Sequence, residues 1–190
     1  MSTPTILAFA GSIRNDSYNK RLAKVALHAA EKAGAETTFI DLFDYQMPLY
    51  CEDYEAEHGK PEVVSTFQKI LKDHDGFMIA SPEYNSSLTG ILKNTIDWTT
   101  RPEEGEKWDA CWKGKIATVL CAASGLGGRN GVYHLKTILG TYGTIVLPQH
   151  IIVGNCKTNL CKDHYIEDAS LQKQLTNLSQ ELVRIVCAIS

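Results

Sequence analysis

The segment between Gly11 and Asn19 carries the side chains of this chain that are best suited to bind an anion. Ser12, Ser17 and Asn19 offer neutral hydrogen-bond donors. Arg14 adds a guanidinium, whose N–H groups lie in one plane. The segment precedes a predicted helix, whose N-terminal N–H groups and dipole also attract an anion. It lacks the Gly-Lys-Ser/Thr of a P-loop and the GxGxxG of a dinucleotide-binding turn. The composition predicts a site for a terminal phosphate group, with a capped helix after an ordinary polar turn as the alternative.

Two further loops could border a flat ligand. In the first, 81–87, Pro82 restricts the backbone and Tyr84 offers an aromatic face. In the second, 124–129, glycines let the backbone approach a ligand closely, although the GxGxxG pattern again fails. Each loop alone is equally compatible with an ordinary connection before a helix. Because all three loops would lie at the same edge of a parallel sheet, together they predict one ligand site.

These loops connect strands and helices that alternate along the chain. Short apolar runs predict strands, and apolar residues at spacings of three and four predict helices. The predicted strands are 5–10, 37–40, 76–80, 115–123 and 144–153, and the predicted helices are 17–33, 61–71, 88–98, 132–142 and 171–189. Pro148 interrupts the last strand, which places it at a sheet edge or divides it into two pieces. Strands that are apolar on both faces predict an α/β domain with a doubly wound parallel sheet. Periodicity leaves the strand order open.

Length and charge narrow the classes of function. The 190 residues fit one domain, and no linker divides them. A net charge of −3, from 19 Lys+Arg and 22 Asp+Glu, argues against binding to nucleic acid. No apolar run reaches the roughly 18 residues of a membrane span, and the N-terminal residues do not resemble a signal peptide. The scattered cysteines then favour a cytoplasmic protein with reduced thiols. Cys156, Cys161 and His164 form an alternative but incomplete zinc set, and we predict no bound metal.

Three motifs resemble those of the NADPH-dependent FMN reductase family, which includes quinone, chromate and azo-dye reductases. The motifs are Gly11-Ser12-x-Arg14-x-x-Ser17-x-Asn19, Ser81-Pro82-Glu83-Tyr84-Asn85-x-Ser87 and Gly90-x-Leu92-Lys93-Asn94-x-Ile96-Asp97-Trp98. The resemblance covers about 5–153 and implies a flavodoxin-like fold, with a five-stranded parallel sheet in the order 2-1-3-4-5. Two departures are Thr89, where the family usually has proline, and a loop after Ser124 that is shorter by one or two residues.

The resemblance also implies a set of cofactor-binding residues. Those that would hold the FMN phosphate are Ser12, Arg14, Ser17 and Asn19. Those that would border the flavin ring and the ribityl chain are Pro82, Glu83, Tyr84 and Asn85, and the loop at Ser124 and Gly125 would close the other side. Tyr18 is counted with this set, with packing on the helix face as its alternative.

The implied activity is hydride transfer from NADPH or NADH through FMN to a small-molecule acceptor. The expected acceptors are quinone-like, azo, metal-oxyanion or free-flavin compounds, used in a ping-pong mechanism that needs no protein acid or base. The resemblance also implies a homodimer or homotetramer, with the apolar stripe of 92–98 in its interface. The acidic segment 41–60, predicted as a loop, is hypothesised to cover the site of a neighbouring subunit. The alternative is a flavodoxin-type electron carrier, which the modest net charge disfavours.

Overall fold

The computed structural model describes residues 3–160 and 165–189. Strands β1 to β6 are Thr5–Ala10, Glu36–Ile40, Gly76–Ala80, Ile116–Ala122, Ile145–Val146 and Ile151–Val153. Helices α1 to α7 are Tyr18–Lys32, Glu52–His58, Glu62–Lys72, Gly90–Thr99, Arg129–Thr141, Cys156–Asn159 and Ala169–Ile189, and a short 3₁₀ helix covers Leu42–Tyr45. None of the described helices combines the length and the apolarity needed to cross a membrane.

The sheet is parallel at every pairing, in the order β2-β1-β3-β4-β5. This confirms the order 2-1-3-4-5. The fifth position is shared, because β5 pairs with the start of β4 and β6 pairs with its end. Pro148 lies between these two short strands, as its missing N–H predicts. The carboxyl ends of β1, β3 and β4 therefore lie side by side at one edge of the sheet.

The two faces of the sheet are covered by different helices. Alternate residues of β1 point to opposite faces, with Ile6 and Ala8 on one and Leu7 and Phe9 on the other. The first face packs against α1 and α7, and the second packs against α3, α4 and α5. All four side chains are fully buried. Both faces are thus apolar, which is the pattern expected of a central parallel strand.

The acidic segment 41–60 is more ordered than the predicted loop, since it contains the 3₁₀ helix and α2. Its middle is fixed to α4 by the side-chain amide of Asn94. That amide accepts the N–H of Tyr50 at 2.8 Å. It also donates to the carbonyl oxygens of Met47, at 3.3 Å, and Pro48, at 2.9 Å. Hydrogen bonds to α4 therefore hold this segment in place, together with its buried side chains Leu42 and Met47.

The apolar stripe of α4 is covered within the chain. Leu92, Ile96 and Trp98 are fully buried. The indole N–H of Trp98 donates to the carbonyl of Pro48 at 2.7 Å, and the ring of Tyr50 packs edge-on against it. The expectation that this stripe lies in a subunit interface is wrong for these side chains, because the protein's own sheet and the 41–60 segment already cover them.

One buried hydroxyl in the sheet allows a stability prediction. Thr118, in the centre of β4, is fully buried, and its Oγ1 has no hydrogen-bond partner among the described residues. Thr118→Val keeps the shape and removes the unpaired group, so it should stabilise the protein by about 1 kcal/mol. Thermal unfolding should show a rise of about 2–4 °C.

Thr99→Val is the matched control for this substitution. The hydroxyl of Thr99 is also buried, but it accepts the indole N–H of Trp112 at 3.2 Å and donates to two carbonyl groups of α4. Its removal should lower the melting temperature. A loss of stability in Thr118→Val similar to that of the control would contradict the prediction.

Candidate functional site

A cleft of about 320 Å³ opens at the carboxyl ends of β1, β3 and β4. All the residues of the implied cofactor set except Asn85 line it. They are Ser12, Arg14, Ser17, Tyr18, Asn19, Pro82, Glu83, Tyr84, Ser124 and Gly125. Gly127 and Gly128, from the predicted 124–129 loop, also line it, and the lining residues that the sequence did not assign to the site are Ala122, Ala123 and Cys156.

The first side of the cleft is the connection from β1 to α1. Ser17 is the N-cap of α1, and its hydroxyl accepts the backbone N–H of Lys20 at 3.4 Å. Ser12 Oγ accepts the backbone N–H of Arg14 at 3.4 Å. Both serines are buried, whereas Arg14 is exposed. The first turn of α1 contains no acidic residue, so its positive dipole end is not neutralised from within the helix.

Two arginines near this connection differ in their partners. Arg21 forms an ion pair with Asp16 and lies over the ring of Tyr18, 5.0 Å from its centroid. Arg14 forms no ion pair within the described ranges 3–160 and 165–189. The guanidinium of Arg14 is therefore available to an anionic ligand. Tyr18 both packs against Arg21 and lines the cleft, which fits each of the two roles considered for it.

Asn19 joins the first loop to the sheet. Its side-chain carbonyl accepts the N–H of Ala122 at 2.8 Å, and its amide group donates to the carbonyl of Ala122 at 2.9 Å. The side chain is buried, and this pair fixes the start of α1 against the end of β4. Asn19 thus fixes the cleft wall, and its implied role as a donor to the phosphate stays a prediction.

The loop after β3 forms a tight turn that carries Tyr84 to the cleft. Tyr84 and Ser87 exchange two backbone hydrogen bonds, of 2.9 and 3.1 Å. The two residues between them, Asn85 and Ser86, have φ angles of 50° and 64°. Positive φ at both central positions is typical of a type I′ turn. The ring of Tyr84 is 52% exposed and lines the cleft, whereas Asn85 lies at the tip of the turn, outside the lining.

Glu83 fixes this loop to α5. The N-cap of α5 is Gly128, which has no side chain to cap the helix. A carboxylate oxygen of Glu83 instead accepts the N–H of Gly131 at 2.7 Å. A Cβ on Gly131 would lie 3.2 Å from the carbonyl oxygen of Ser87, so the helix and the loop are in close contact. The positive end of α5 is therefore occupied by the protein's own carboxylate, whereas the first turn of α1 contains no acidic residue.

The third side of the cleft is the glycine-containing loop after β4. Gly125 accepts the N–H of Asn155 at 3.1 Å through its carbonyl oxygen. This approach requires Gly154, because a Cβ there would lie 2.9 Å from the same oxygen. Next to it, Cys156 presents a buried thiol to the cleft. Burial raises the pKa of that thiol, so it is neutral at physiological pH.

Comparison with known proteins identifies the family of this chain. Residues 4–158 match the family described as NADPH-dependent FMN reductase. The chain belongs to this family. It is 36% identical over 135 residues to an NAD(P)H:quinone oxidoreductase of Solanum tuberosum. The match covers 70% of this chain and 66% of that relative, so the chain spans slightly less than two thirds of its length.

Solved structures of a flavoenzyme oxidoreductase and of a flavodoxin share the fold. FerB, a flavoenzyme NAD(P)H:(acceptor) oxidoreductase of Paracoccus denitrificans, superposes with a TM-score of 0.81 at 29% identity, over 98% of this chain and 99% of FerB. A flavodoxin from the domain Archaea superposes with a TM-score of 0.65 at 11% identity, over 96% of this chain and 99% of the flavodoxin. The fold of this FMN reductase family member is flavodoxin-like.

The family motifs predicted the residues of the loops after β1 and β3, but they did not predict Cys156 on the third side of the cleft. Cys156 follows β6, whose carboxyl end lies beside that of β4. A prediction that divided 144–153 into two strands and kept the second beside β4 would have brought Cys156 to the cleft. The alternative zinc set of Cys156, Cys161 and His164 lies partly outside the described residues, which omit 161–164.

The helix cap provided by Glu83 can be tested by substitution. Glu83→Ala leaves the Gly131 N–H at the start of α5 without a partner, and it should lower the free energy of unfolding by about 1–2 kcal/mol. Glu83→Gln keeps an acceptor oxygen and should cost less. Urea denaturation measures both. Glu104→Ala, which changes an exposed glutamate, is the control, and an equal effect in Glu83→Ala and Glu104→Ala would refute the cap.

Proposed function

We propose that this chain is a single-domain FMN-dependent oxidoreductase that passes hydride from NADPH or NADH to a small-molecule acceptor. The observation that carries the proposal is the guanidinium of Arg14, which forms no ion pair with a described residue, near the N-terminus of α1 in a cleft lined by Tyr84. Membership in the NADPH-dependent FMN reductase family supports the choice of cofactor and of donor.

The residues of the cleft fit FMN at both ends. Arg14, with the hydroxyls of Ser12 and Ser17, would bind the phosphate through charge-assisted and neutral hydrogen bonds. Tyr84 would border the flavin ring with its aromatic face. The backbone at Gly125 would border it from the other side, where no side chain hinders a close approach. Bound FMN supplies the hydride-transfer chemistry.

Among the described residues that line the cleft, neither Glu83 nor Cys156 is poised to transfer a proton. The carboxylate of Glu83 is engaged by the N–H of Gly131. The thiol of Cys156 has a raised pKa because it is buried. We infer that donor and acceptor use the same exposed side of the site in turn, in a ping-pong mechanism. Tyr84, which lines the cleft, and Leu126, which is 91% exposed between the lining residues Gly125 and Gly127, offer apolar surface that suits flat acceptors such as quinones and azo compounds. Metal oxyanions and free flavin remain further expected acceptors.

The proposal also includes a cellular location and an oligomeric state. Cys51, Cys111, Cys121, Cys156 and Cys187 are free thiols. Burial raises the pKa of Cys111 to about 11 and that of Cys121 to about 12, so both stay as neutral thiols in the core. Free buried thiols are typical of a reducing compartment, which supports a cytoplasmic location. We also expect a homodimer or homotetramer, as the family resemblance implies.

Steady-state kinetics with a panel of acceptors tests the proposed reaction. The FMN-loaded protein should oxidise NADPH or NADH in the presence of a benzoquinone. Double-reciprocal plots at several quinone concentrations should give parallel lines, because donor and acceptor bind alternately. Intersecting lines would refute the ping-pong mechanism. Flavin binding without any oxidation of NADPH or NADH would instead indicate an electron carrier.

A further inference from the structure

Thr89 links the start of α4 to the start of the phosphate-side loop. Its hydroxyl donates to the carbonyl oxygen of Gly11 at 2.7 Å and accepts the backbone N–H of Leu92 at 3.3 Å. The side chain is 2% exposed, so water does not compete with these bonds. The first bond joins residues 78 positions apart. Thr89 therefore acts as the N-cap of α4 and as a contact to a separate loop.

Gly11 is held from several sides at this point. Its N–H donates to the carbonyl of Ala80 at 2.9 Å, which ties it to the end of β3. A Cβ on Gly11 would lie 3.0 Å from both Ser81 Oγ and the Leu92 side chain, so only glycine fits without displacement. The bond from Thr89 then fixes the one remaining polar group of Gly11, its carbonyl oxygen.

The carbonyl of Gly11 and the N–H of Ser12 belong to one peptide group. In a planar trans peptide the C=O and the N–H point in opposite directions. A hydrogen bond that holds the oxygen towards Thr89 thus holds the Ser12 N–H away from α4. Ser12 lines the cleft, and its backbone N–H has no hydrogen-bond partner among the residues that the structure describes.

We propose that Thr89 is a positioning residue for the phosphate of FMN, acting through the Gly11–Ser12 peptide. By holding the carbonyl of Gly11, Thr89 directs the Ser12 N–H as a donor to the phosphate. Proline, which the family resemblance gives as the usual residue here, has no hydroxyl and could not donate this hydrogen bond. The inference rests on the proposed function, since it assumes that FMN is the ligand.

The test compares two flavins that differ only in the phosphate. Apo-protein is titrated with FMN and with riboflavin, and binding is followed by quenching of flavin fluorescence. Thr89→Val should weaken FMN binding about tenfold, through loss of one charge-assisted N–H contact, and should leave riboflavin binding unchanged. Thr89→Ser keeps the hydroxyl and should restore the affinity for FMN. Thr100→Val is the control, because the hydroxyl of Thr100 bonds within the far end of the same helix.

The outcomes separate the inference from the proposed function. If Thr89→Val lowers the affinity for both flavins equally, or for neither, the positioning role is refuted while FMN binding by the wild type stands. If the wild type binds FMN no better than riboflavin, the proposed phosphate site itself fails. Should the valine variant not fold, Thr89→Ala is a second variant without the hydroxyl, and the same comparison of the two flavins applies.

Discussion

Replacing Arg14 by alanine should weaken the binding of FMN by about 10- to 100-fold, which corresponds to the loss of one charged phosphate contact. Arg14 is the cation of the cleft wall that has no ion pair within the described residues, whereas the neighbouring Arg21 pairs with Asp16. The helix dipole and the serine hydroxyls remain in the variant, so binding should be weakened and not abolished. Fluorescence titration of apo-protein with FMN measures the change.

Two comparisons make the test of Arg14 specific. Riboflavin, which has no phosphate, should bind the Arg14→Ala variant and the wild type equally. Arg184→Ala removes an arginine on α7 that pairs with Glu181, and it should leave FMN binding unchanged. If Arg14→Ala weakens riboflavin as much as FMN, the guanidinium does not act on the phosphate, and the assignment fails.

Replacing Gly128 by alanine should destabilise the protein by about 2–5 kcal/mol, the combined cost of a strained backbone and an overpacked contact. Gly128 has a φ of 112°, and a Cβ there would lie 2.6 Å from the Sγ of Cys121. The position is the N-cap of α5 and part of the cleft wall. The affinity for FMN should fall together with stability, because the loop and the helix must shift to make room.

Matched variants divide the effect at Gly128 into its two causes. Gly140→Ala, in the same helix, meets no atom within 4 Å, so it should be neutral or slightly stabilising. Cys121→Ala removes the close contact but leaves the strained φ of residue 128. Adding Gly128→Ala to a Cys121→Ala protein should therefore lower the free energy of unfolding by less than adding it to the wild type. Urea denaturation gives these differences. An unchanged stability of Gly128→Ala would contradict the packing described at the start of α5.

The fold was predictable because its signals are local. Each central strand is a short apolar run followed by a turn, and α1 and α7 repeat apolar residues at helical spacing. The order of the strands came from the family resemblance, since periodicity does not encode which strands pair. Pro148 predicted the break in the edge strand, because a residue without an N–H cannot continue a ladder there.

The anion side of the cleft was predictable for a similar reason. Its donors lie within one short segment between a strand and a helix, so proximity in sequence is proximity in space. The family motif assigns Asn85 to the site. The turn, with its positive φ angles, puts Asn85 at the tip and outside the lining of the cleft, so its contact with the flavin stays a prediction. A motif fixes the identity of residues but does not fix the direction in which each one points.

The features that could not be predicted from the sequence depend on contacts between segments that are far apart in the chain. Cys156 reaches the cleft only because β6 pairs with β4. The apolar stripe of α4 predicts that another part of the protein packs against it, but the stripe does not identify which segment does so. The 41–60 segment takes that place through Asn94 and Trp98. The hypothesis that this segment also covers a neighbouring subunit's site stays a prediction.

The most direct test of the account mixes FMN-loaded protein with NADPH in the absence of oxygen. The apo-chain should take up FMN, NADPH should remove the visible absorbance of the bound flavin, and a benzoquinone added afterwards should restore it. A chain that does not take up FMN would contradict the assignment of the cleft. A loaded chain whose absorbance neither NADPH nor NADH changes would contradict the assignment as a reductase.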